Sequence, residues 1–252
     1  MDVLIKKSIP NFITLSNLFL GFTSLILLSL SLSDSTDYIT TACYLILISC
    51  VLDSLDGKVA RKLNISSEFG KEIDSLADLI SFCLVPSIFI YVLYTSNFPG
   101  ISGEIIASLP LILGAIRLAR FNTEAINNTS KSYFKGLPTP ANALAIISII
   151  LFVQQNSIYS DPKLLLPIII LISFMMVTKV RYEKFPILNF KSGLQNSFKI
   201  IILFSFIIFF VIAYFYNQES WVLMGFTGFY ILSGILTHVL FQNKRMKIIG
   251  ES

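Results

Sequence analysis

Long apolar runs recur along this chain, and they constrain its fold more than any other feature. Most of them have the length of about 20 residues that a helix needs to cross the roughly 30 Å hydrocarbon core of a bilayer. Hydrophobic residues make up 54% of the 252 residues and charged residues 13%, outside the usual range of a soluble domain. We therefore expect an all-α, polytopic membrane helix bundle with about eight transmembrane helices in a single membrane domain, residues 1–252. The predicted helices lie near Phe12–Leu32, Tyr38–Ala60, Asp74–Tyr94, Glu104–Arg120, Pro140–Val153, Leu164–Val180, Phe198–Phe215 and Trp221–Phe241.

The basic residues collect on one side of these helices when the N-terminus is placed in the cytoplasm. Only Lys163 then falls on the opposite side. The loops of that side carry acidic residues instead, namely Asp34, Asp37, Glu104, Asp161 and Glu219. Because cytoplasmic loops are enriched in Lys and Arg, we expect both termini in the cytoplasm and a multi-pass protein of the cell inner (cytoplasmic) membrane. No basic stripe is interleaved with aromatic residues, so we expect no nucleic-acid partner despite the net charge of +4.

Four aspartates mark a region that a purely structural membrane protein does not explain. Asp53 and Asp56 are three residues apart near the end of the second predicted helix, and Asp74 and Asp78 are four residues apart at the start of the third. Each spacing places its pair on one face of a helix, and the short turn between the helices makes them antiparallel neighbours. Ionisable groups at membrane depth are costly unless they are paired, bound to metal or in a wet cavity. We therefore expect the four carboxylates to converge in a pocket open to the cytoplasm.

These carboxylates would repel one another without a cation. Ligands that are all carboxylates favour a hard divalent ion, Mg²⁺ or Mn²⁺, over zinc. Gly57 and Ala60 lie on the same helix face as the first two aspartates, and such small residues either admit a flat ligand or allow close helix packing. Arg61 lies one turn beyond Gly57, where a guanidinium could bind phosphate.

The aspartates and the small residues together resemble a known family. The eight fixed positions match the signature of the CDP-alcohol phosphatidyltransferases in residue type and spacing. They are Asp53-Ser-Leu-Asp56-Gly57-Lys-Val-Ala60-Arg61, then Gly70 after eight residues, Asp74 after three and Asp78 after three more.

The resemblance implies a metal-dependent transfer of a phosphatidyl group from CDP-diacylglycerol to an alcohol, with release of CMP. It implies that two divalent ions, Mg²⁺ or Mn²⁺, bridge the pyrophosphate on Asp53, Asp56 and Asp74, and that Asp78 binds metal and acts as the general base. It also implies a homodimer in membrane lipid. The positions that it assigns to the CDP-lipid are Asn11, Thr14, Gly57, Ala60, Arg61 and Ser67.

Segments outside the signature bear on the acceptor alcohol. They resemble bacterial phosphatidylserine synthases, so the resemblance implies L-serine and a family core at residues 10–182, followed by two additional C-terminal helices at 198–241. The segments are Ile9-Pro10-Asn11-Phe-Ile-Thr14-Leu-Ser-Asn17-Leu-Phe-Leu-Gly21, Arg117-Leu-Ala-Arg120-Phe-Asn122, Gly136-Leu-Pro138-Thr-Pro140-Ala141 and Lys179-Val-Arg181-Tyr182. Thr139 departs from the serine that is more usual there.

Serine carries a carboxylate, so its pocket should offer a fixed cation. Arg117 and Arg120 end the fourth predicted helix at the depth of the aspartates, and we expect one of them to bind the carboxylate together with Asn122 or Lys135. The alternative is that both arginines anchor the helix end at lipid headgroups by extending their charged ends to the interface.

Two other functions stay open at this point. The same reaction could use inositol phosphate, glycerol 3-phosphate or choline as the acceptor. A cation-coupled transporter could use the aspartates as an ion path, although it would place acidic residues at mid-membrane depth on several helices, whereas these cluster beside one turn.

Overall fold

The structure, a computed structural model, describes residues 2–33, 38–62, 67–126, 133–156, 161–183 and 194–250. Within helices and strands, the backbone alone is described at residues 2–9, 60–62, 125–126, 183, 194–195, 198–199 and 241–250. The described residues form eight helices and a pair of short strands. In chain order these are α1 (Asp2–Ser33), α2 (Ile39–Lys62), α3 (Glu68–Thr95), α4 (Ser102–Ala107 and Leu109–Ile126), β1 (Tyr133–Lys135), α5 (Thr139–Gln155), α6 (Pro162–Met175), β2 (Arg181–Glu183), α7 (Leu194–Phe215) and α8 (Glu219–Gly250).

The helices have the length and composition of membrane-spanning segments. Within the described residues, five are long and apolar enough to cross a bilayer: Pro10–Ser33, Ile39–Val59, Glu68–Thr95, Ser102–Glu124 and Glu219–Leu240. Three further apolar helices are shorter: Thr139–Gln155, Pro162–Met175 and Ile200–Phe215. The predicted all-α, polytopic membrane fold is confirmed, and the side on which each terminus lies stays a prediction.

Helix α1 packs along α2 through small and polar residues. Ser24 is buried in this contact, and its Oγ donates a hydrogen bond of 2.9 Å to the carbonyl oxygen of Ala42. The opposite face of α1 exposes Phe12, Phe19 and Phe22. Large apolar side chains facing outward are what a lipid environment requires, because lipid tails are as apolar as the helix surface.

Helix α3 is not a regular α-helix throughout. Two π-helical segments, Leu79–Leu84 and Tyr91–Thr95, interrupt it, and the first begins directly after Asp78. Pro86 follows the first segment and has no N–H to donate, so the regular hydrogen-bonding pattern is already disturbed there. The wider turns change which residues face inward, and Ser81, Phe82 and Cys83 are all buried in succession. The helix was predicted from a period of 3.6 residues, and that period does not predict the π-helical segments.

Helix α5 lies at the centre of the bundle. Every residue from Ala145 to Val153 is buried, so the helix is enclosed on all sides, as expected of a helix that is apolar all round. Its first residue, Thr139, lies at the same end of the bundle as the aspartates. The core therefore holds the beginning of α5 firmly beside the candidate site.

The two short strands were not predicted. They pair antiparallel, with Phe134 opposite Tyr182. We expected the sixth helix to continue to Val180, but α6 ends at Met175. Carbonyls at and beyond that point accept from the segment before α5: the N–H of Leu137 donates to the oxygen of Met175 at 3.0 Å, and the N–H of Gly136 donates to that of Val180 at 2.8 Å. These contacts with a segment far away in sequence end the helix.

Gly136 is required at the turn between β1 and α5. Its φ is +77°, which favours glycine. A Cβ there would also collide with the backbone oxygen of Met176. This turn positions Thr139 at the candidate site.

Candidate active site

Three of the four aspartates form one group. Asp53 and Asp56 come from the last turns of α2 and Asp74 from the second turn of α3, and few residues separate the two helices along the chain. Each offers a carboxylate oxygen, and these oxygens all lie within 4.8 Å of one another. Hard divalent ions bind carboxylate oxygens at about 2.0 to 2.6 Å, so the three side chains are close enough to converge on an ion. The donor set contains carboxylates alone, which fits Mg²⁺ or Mn²⁺.

Asp78 lies beside this group rather than in it. It is 9% exposed, and its Oδ2 accepts a hydrogen bond of 3.2 Å from the Thr139 hydroxyl. Its Oδ1 is buried and has no hydrogen-bond partner among the described residues. The charges of Asp53 and Asp74 repel that of Asp78, and the charge of Arg117 attracts it. Asp78 thus has its Oδ2 atom held by Thr139, and its carboxyl group also lies within hydrogen-bonding reach of that of Asp53.

Arg117 reaches Asp78 through Thr139. This arginine is 7% exposed, and its Nη1 donates to Thr139 Oγ1 at 3.1 Å. The threonine hydroxyl therefore accepts from the guanidinium and donates to the carboxylate. The Nε of Arg117 is buried without a partner among the residues that the structure describes. A buried guanidinium with an unused donor is suited to an anionic group of a ligand.

The Asn11–Thr14 segment of α1 lies against the end of α2 and the start of α3. The Thr14 hydroxyl donates to Asp56 Oδ2 at 2.7 Å. Ser67 caps α3, since its Oγ accepts from the Gly70 N–H at 2.9 Å. A Cβ on Gly70 would lie 3.2 Å from Asn11 Oδ1 and 3.0 Å from Ser67 Oγ. Asn11, Thr14 and Ser67, predicted as CDP-lipid contacts, are thus brought to the same end of the bundle as the aspartates.

The other predicted CDP-lipid positions are on α2. Gly57 is exposed, and a Cβ there would meet no described atom within 4 Å. Ala60 and Arg61 belong to the same helix, and their side chains lie outside the described residues. The structure thus leaves space beside Gly57, on the helix that carries Asp53 and Asp56.

Arg120 contacts backbone rather than the aspartates. Its guanidinium donates to the carbonyl oxygens of Lys135 at 3.0 Å, Met176 at 3.2 Å and Val177 at 3.1 Å. Because it joins the end of α4 to both strand-bearing segments, Arg120 stabilises the loop that carries Thr139.

Two further residues predicted for the acceptor pocket also have protein partners. Asn122 Nδ2 donates to Ser75 Oγ at 3.0 Å. Lys135 pairs with Glu124 at 2.6 Å. Among the four predicted acceptor residues, the described contacts link Arg117 to Asp78.

The amino-acid sequence also matches a known protein family. The family model of the CDP-alcohol phosphatidyltransferases matches residues 7–180. The chain belongs to the CDP-alcohol phosphatidyltransferase family. The matched range contains every residue of the site described above, and it ends before α7 and α8.

Individual relatives of this family extend the comparison. The chain is 38% identical over 234 residues to a CDP-diacylglycerol–serine O-phosphatidyltransferase of Helicobacter pylori, covering 90% of this chain and 89% of the relative. A protein of the same name from Methanocaldococcus jannaschii is 34% identical over 71% of this chain and 75% of its own length. One from Saccharomyces cerevisiae is 35% identical over 60% and 56%, respectively. The phosphatidyltransferase chemistry of the family is therefore the chemistry for which this site is built.

Sequence reasoning missed one residue of the site, Thr139, and a buried amide one helical turn beyond it. Thr139 was noticed only because it replaces the more usual serine, yet its hydroxyl links Arg117 to Asp78. Asn142, one turn further along α5, is fully buried, and neither atom of its amide has a partner among the described residues. The signal for both was their position in or after the Gly136–Ala141 segment. The role of Thr139 became visible only when α5 was placed beside α3 and α4.

Proposed function

We propose that this enzyme transfers the phosphatidyl group of CDP-diacylglycerol to the hydroxyl of L-serine, giving phosphatidylserine and CMP. The observation that carries the proposal is the placement of Asp78, next to three convergent carboxylates on one side and linked to a buried arginine on the other. The names of the relatives support the choice of serine.

Asp53, Asp56 and Asp74 are proposed to hold the divalent metal, as two Mg²⁺ or Mn²⁺ ions, with Asp78 contributing from the side. The metal supplies charge neutralisation at the pyrophosphate and at the departing CMP. Thr14 holds Asp56 in place by its hydrogen bond of 2.7 Å, so that this carboxylate stays directed at the site. The remaining proposed contacts to the CDP-lipid are Asn11, Thr14, Gly57, Ala60, Arg61 and Ser67.

Asp78 is the proposed general base. An alcohol hydroxyl is a weak nucleophile near neutral pH, so a positioned carboxylate must take its proton. The serine oxygen then forms a bond to phosphorus, the bond between phosphorus and the CMP oxygen breaks, and the proton remains on Asp78. Thr139 fixes Oδ2 of this carboxylate, which leaves Oδ1 for the substrate hydroxyl.

Arg117 is the proposed ligand of the serine carboxylate. Its buried Nε offers a charged donor near Asp78, so one serine could place its carboxylate on the arginine and its hydroxyl toward the base. Arg120, Asn122 and Lys135 remain proposed members of the pocket. Their described contacts favour a supporting role, in which Arg120 and Lys135 hold the segment before α5 against α4 and Asn122 ties α4 to Ser75 of α3.

The remaining parts of the proposal concern the setting of the enzyme. The site faces the cytoplasm of a multi-pass protein in the cell inner membrane, with both termini on that side. The catalytic core is residues 10–182, the two helices at 198–241 are an addition to it, and the enzyme works as a homodimer within membrane lipid. The segregation of basic residues along the sequence supports this orientation.

An assay of the purified protein with CDP-diacylglycerol and a panel of alcohols tests the reaction. We expect CMP release and a new phospholipid only when serine and Mg²⁺ or Mn²⁺ are both present. If CMP release depends on inositol phosphate, glycerol 3-phosphate or choline, and not on serine, the acceptor is that alcohol instead. Metal-dependent cation uptake into vesicles without CMP release would favour a transporter.

A further inference from the structure

One helical turn away from the aspartates, three helices meet in a small buried polar cluster. Its members are Asn17 of α1, Ser49 of α2 and Ser81 of α3, and all three are completely buried. We call these three residues the polar layer. Each lies one helical turn from a residue of the candidate site. The pairs are Asn17 with Thr14, Ser49 with Asp53, and Ser81 with Asp78.

Asn17 is the residue that connects the other two. The Ser49 hydroxyl donates a short hydrogen bond to Asn17 Oδ1. The Ser81 hydroxyl donates to the backbone oxygen of Asn17 at 3.2 Å. One residue of α1 therefore binds both helices that carry the metal-binding carboxylates.

The helices approach closely at this level. A Cβ added to Gly21, one turn further along α1, would collide with the side chain of Ser81. The contact between α1 and α3 therefore depends on a missing side chain next to the polar layer. A slip of α3 by one residue would both break the bond from Ser81 and remove this fit.

The polar layer also lowers the stability of the fold. The Nδ2 atom of Asn17 is buried and has no partner among the described residues. A buried donor without a partner destabilises a protein, and an apolar residue of similar size would avoid that cost. A buried polar residue that lowers stability in this way is expected where a function depends on it.

We propose that Asn17 is a positioning residue for metal binding, which sets the register of α1, α2 and α3 so that the carboxylates of Asp53, Asp56 and Asp74 stay within reach of an ion. These carboxylates repel one another, and α2 and α3 carry them from two directions. The hydrogen bonds to Asn17, one helical turn away, keep α2 and α3 from moving apart. The inference rests on the proposed metal-binding role of the three aspartates.

The chain offers a matched control for this proposal. Ser24 is fully buried in the same interface between α1 and α2, and its hydroxyl donates one hydrogen bond of 2.9 Å across it. It lies seven residues beyond Asn17, on the side away from the aspartates. Ser49→Ala and Ser24→Ala thus each remove one hydroxyl that ties α1 to α2, one near the site and one far from it.

The test measures Mn²⁺ binding to the purified protein without substrates, from the free-ion signal in electron paramagnetic resonance. Thermal unfolding is followed in parallel by circular dichroism. We expect Asn17→Leu and Ser49→Ala to weaken Mn²⁺ binding about 10-fold or more, and Ser24→Ala to change it by less than about twofold at a similar loss of melting temperature. Ser49→Ala keeps the test decisive if Asn17→Leu does not fold.

Two other outcomes overturn the proposal in distinguishable ways. If the wild-type protein binds Mn²⁺ and all variants bind it equally well, or lose affinity only in step with stability, the polar layer is a structural contact. If the wild-type protein binds no Mn²⁺, the proposed metal site itself is wrong and the positioning role falls with it.

Discussion

The two ends of the bundle each contain buried acid groups, but they treat them differently. At one end, Asp53, Asp56 and Asp74 crowd together with their oxygens within 4.8 Å. At the other end, Glu219 of α8 is 2% exposed and accepts hydrogen bonds at Oε1 from the Tyr44 hydroxyl and, at 2.6 Å, from Gln155 Nε2. One end gathers several carboxylates, and the other end holds a single carboxylate through neutral donors to its Oε1 atom.

This difference separates a functional acid from a structural one. The donors to Glu219 come from α2 and α5, so the carboxylate joins three helices, as buried polar groups in membrane proteins often do. The aspartates have few such donors and instead repel one another. Burial of an acidic residue is therefore a weak sign of function, and the convergence of several acids that repel one another is a strong one.

The largest effect is expected from Asp78→Asn. If Asp78 takes the proton of the acceptor, the substitution should lower kcat by about 10² to 10⁴-fold. Mn²⁺ binding should persist, because the three convergent aspartates remain. The measurement is CMP release at saturating substrates, and full activity of the variant would remove Asp78 as the base.

The next largest effect is expected from Arg117→Ala. Loss of a charged hydrogen bond to the serine carboxylate should raise the serine KM by about 10 to 100-fold. Arg120→Ala is the matched variant, since that arginine donates to three backbone carbonyls, and it should lower thermal stability more than it changes KM. A serine KM that is unchanged in both variants contradicts the proposed pocket.

A smaller effect, on stability alone, is expected from Gly234→Ala in α8. A Cβ there would collide with the ring of Tyr182 in β2, and overpacking of this kind costs about 1 to 3 kcal/mol. Gly228→Ala is the control, because a Cβ at that position of α8 meets no described atom within 4 Å. If both variants melt at the wild-type temperature, the contact of α8 with the core is not tight.

The smallest effect is expected from Glu219→Gln at the far end. The amide can still accept both hydrogen bonds, so only their charge-assisted part is lost, about 1 kcal/mol of stability. Activity should stay within about twofold of wild type, since the residue is remote from the aspartates. Glu104→Gln, at an exposed acidic residue, is the control for removing one charge. A large loss of activity in Glu219→Gln alone would show that Glu219 contributes to function.

Local patterns predicted the helices and the convergence of acidic side chains from α2 and α3, because both depend on neighbours in sequence. The sequence predicted a group of four aspartates, and the structure groups three of them, with Asp78 beside the group. The spacing between Asp53 and Asp56, and the short turn before Asp74, are enough to place the three carboxylates together. The strands and the early end of α6 escaped prediction, because Gly136, Leu137 and Arg120 supply their hydrogen bonds from a distant segment.

The sequence by itself determined that this protein is a membrane helix bundle of the CDP-alcohol phosphatidyltransferase type with acidic side chains on two adjacent helices. Apolar length and helical period are properties of contiguous residues, and they do not need the rest of the fold. Only the tertiary structure distinguished Arg117 from Arg120, which are three residues apart on one helix. One faces Thr139 and the other faces the carbonyls beyond α6, and that choice depends on where α5 and the strands pack.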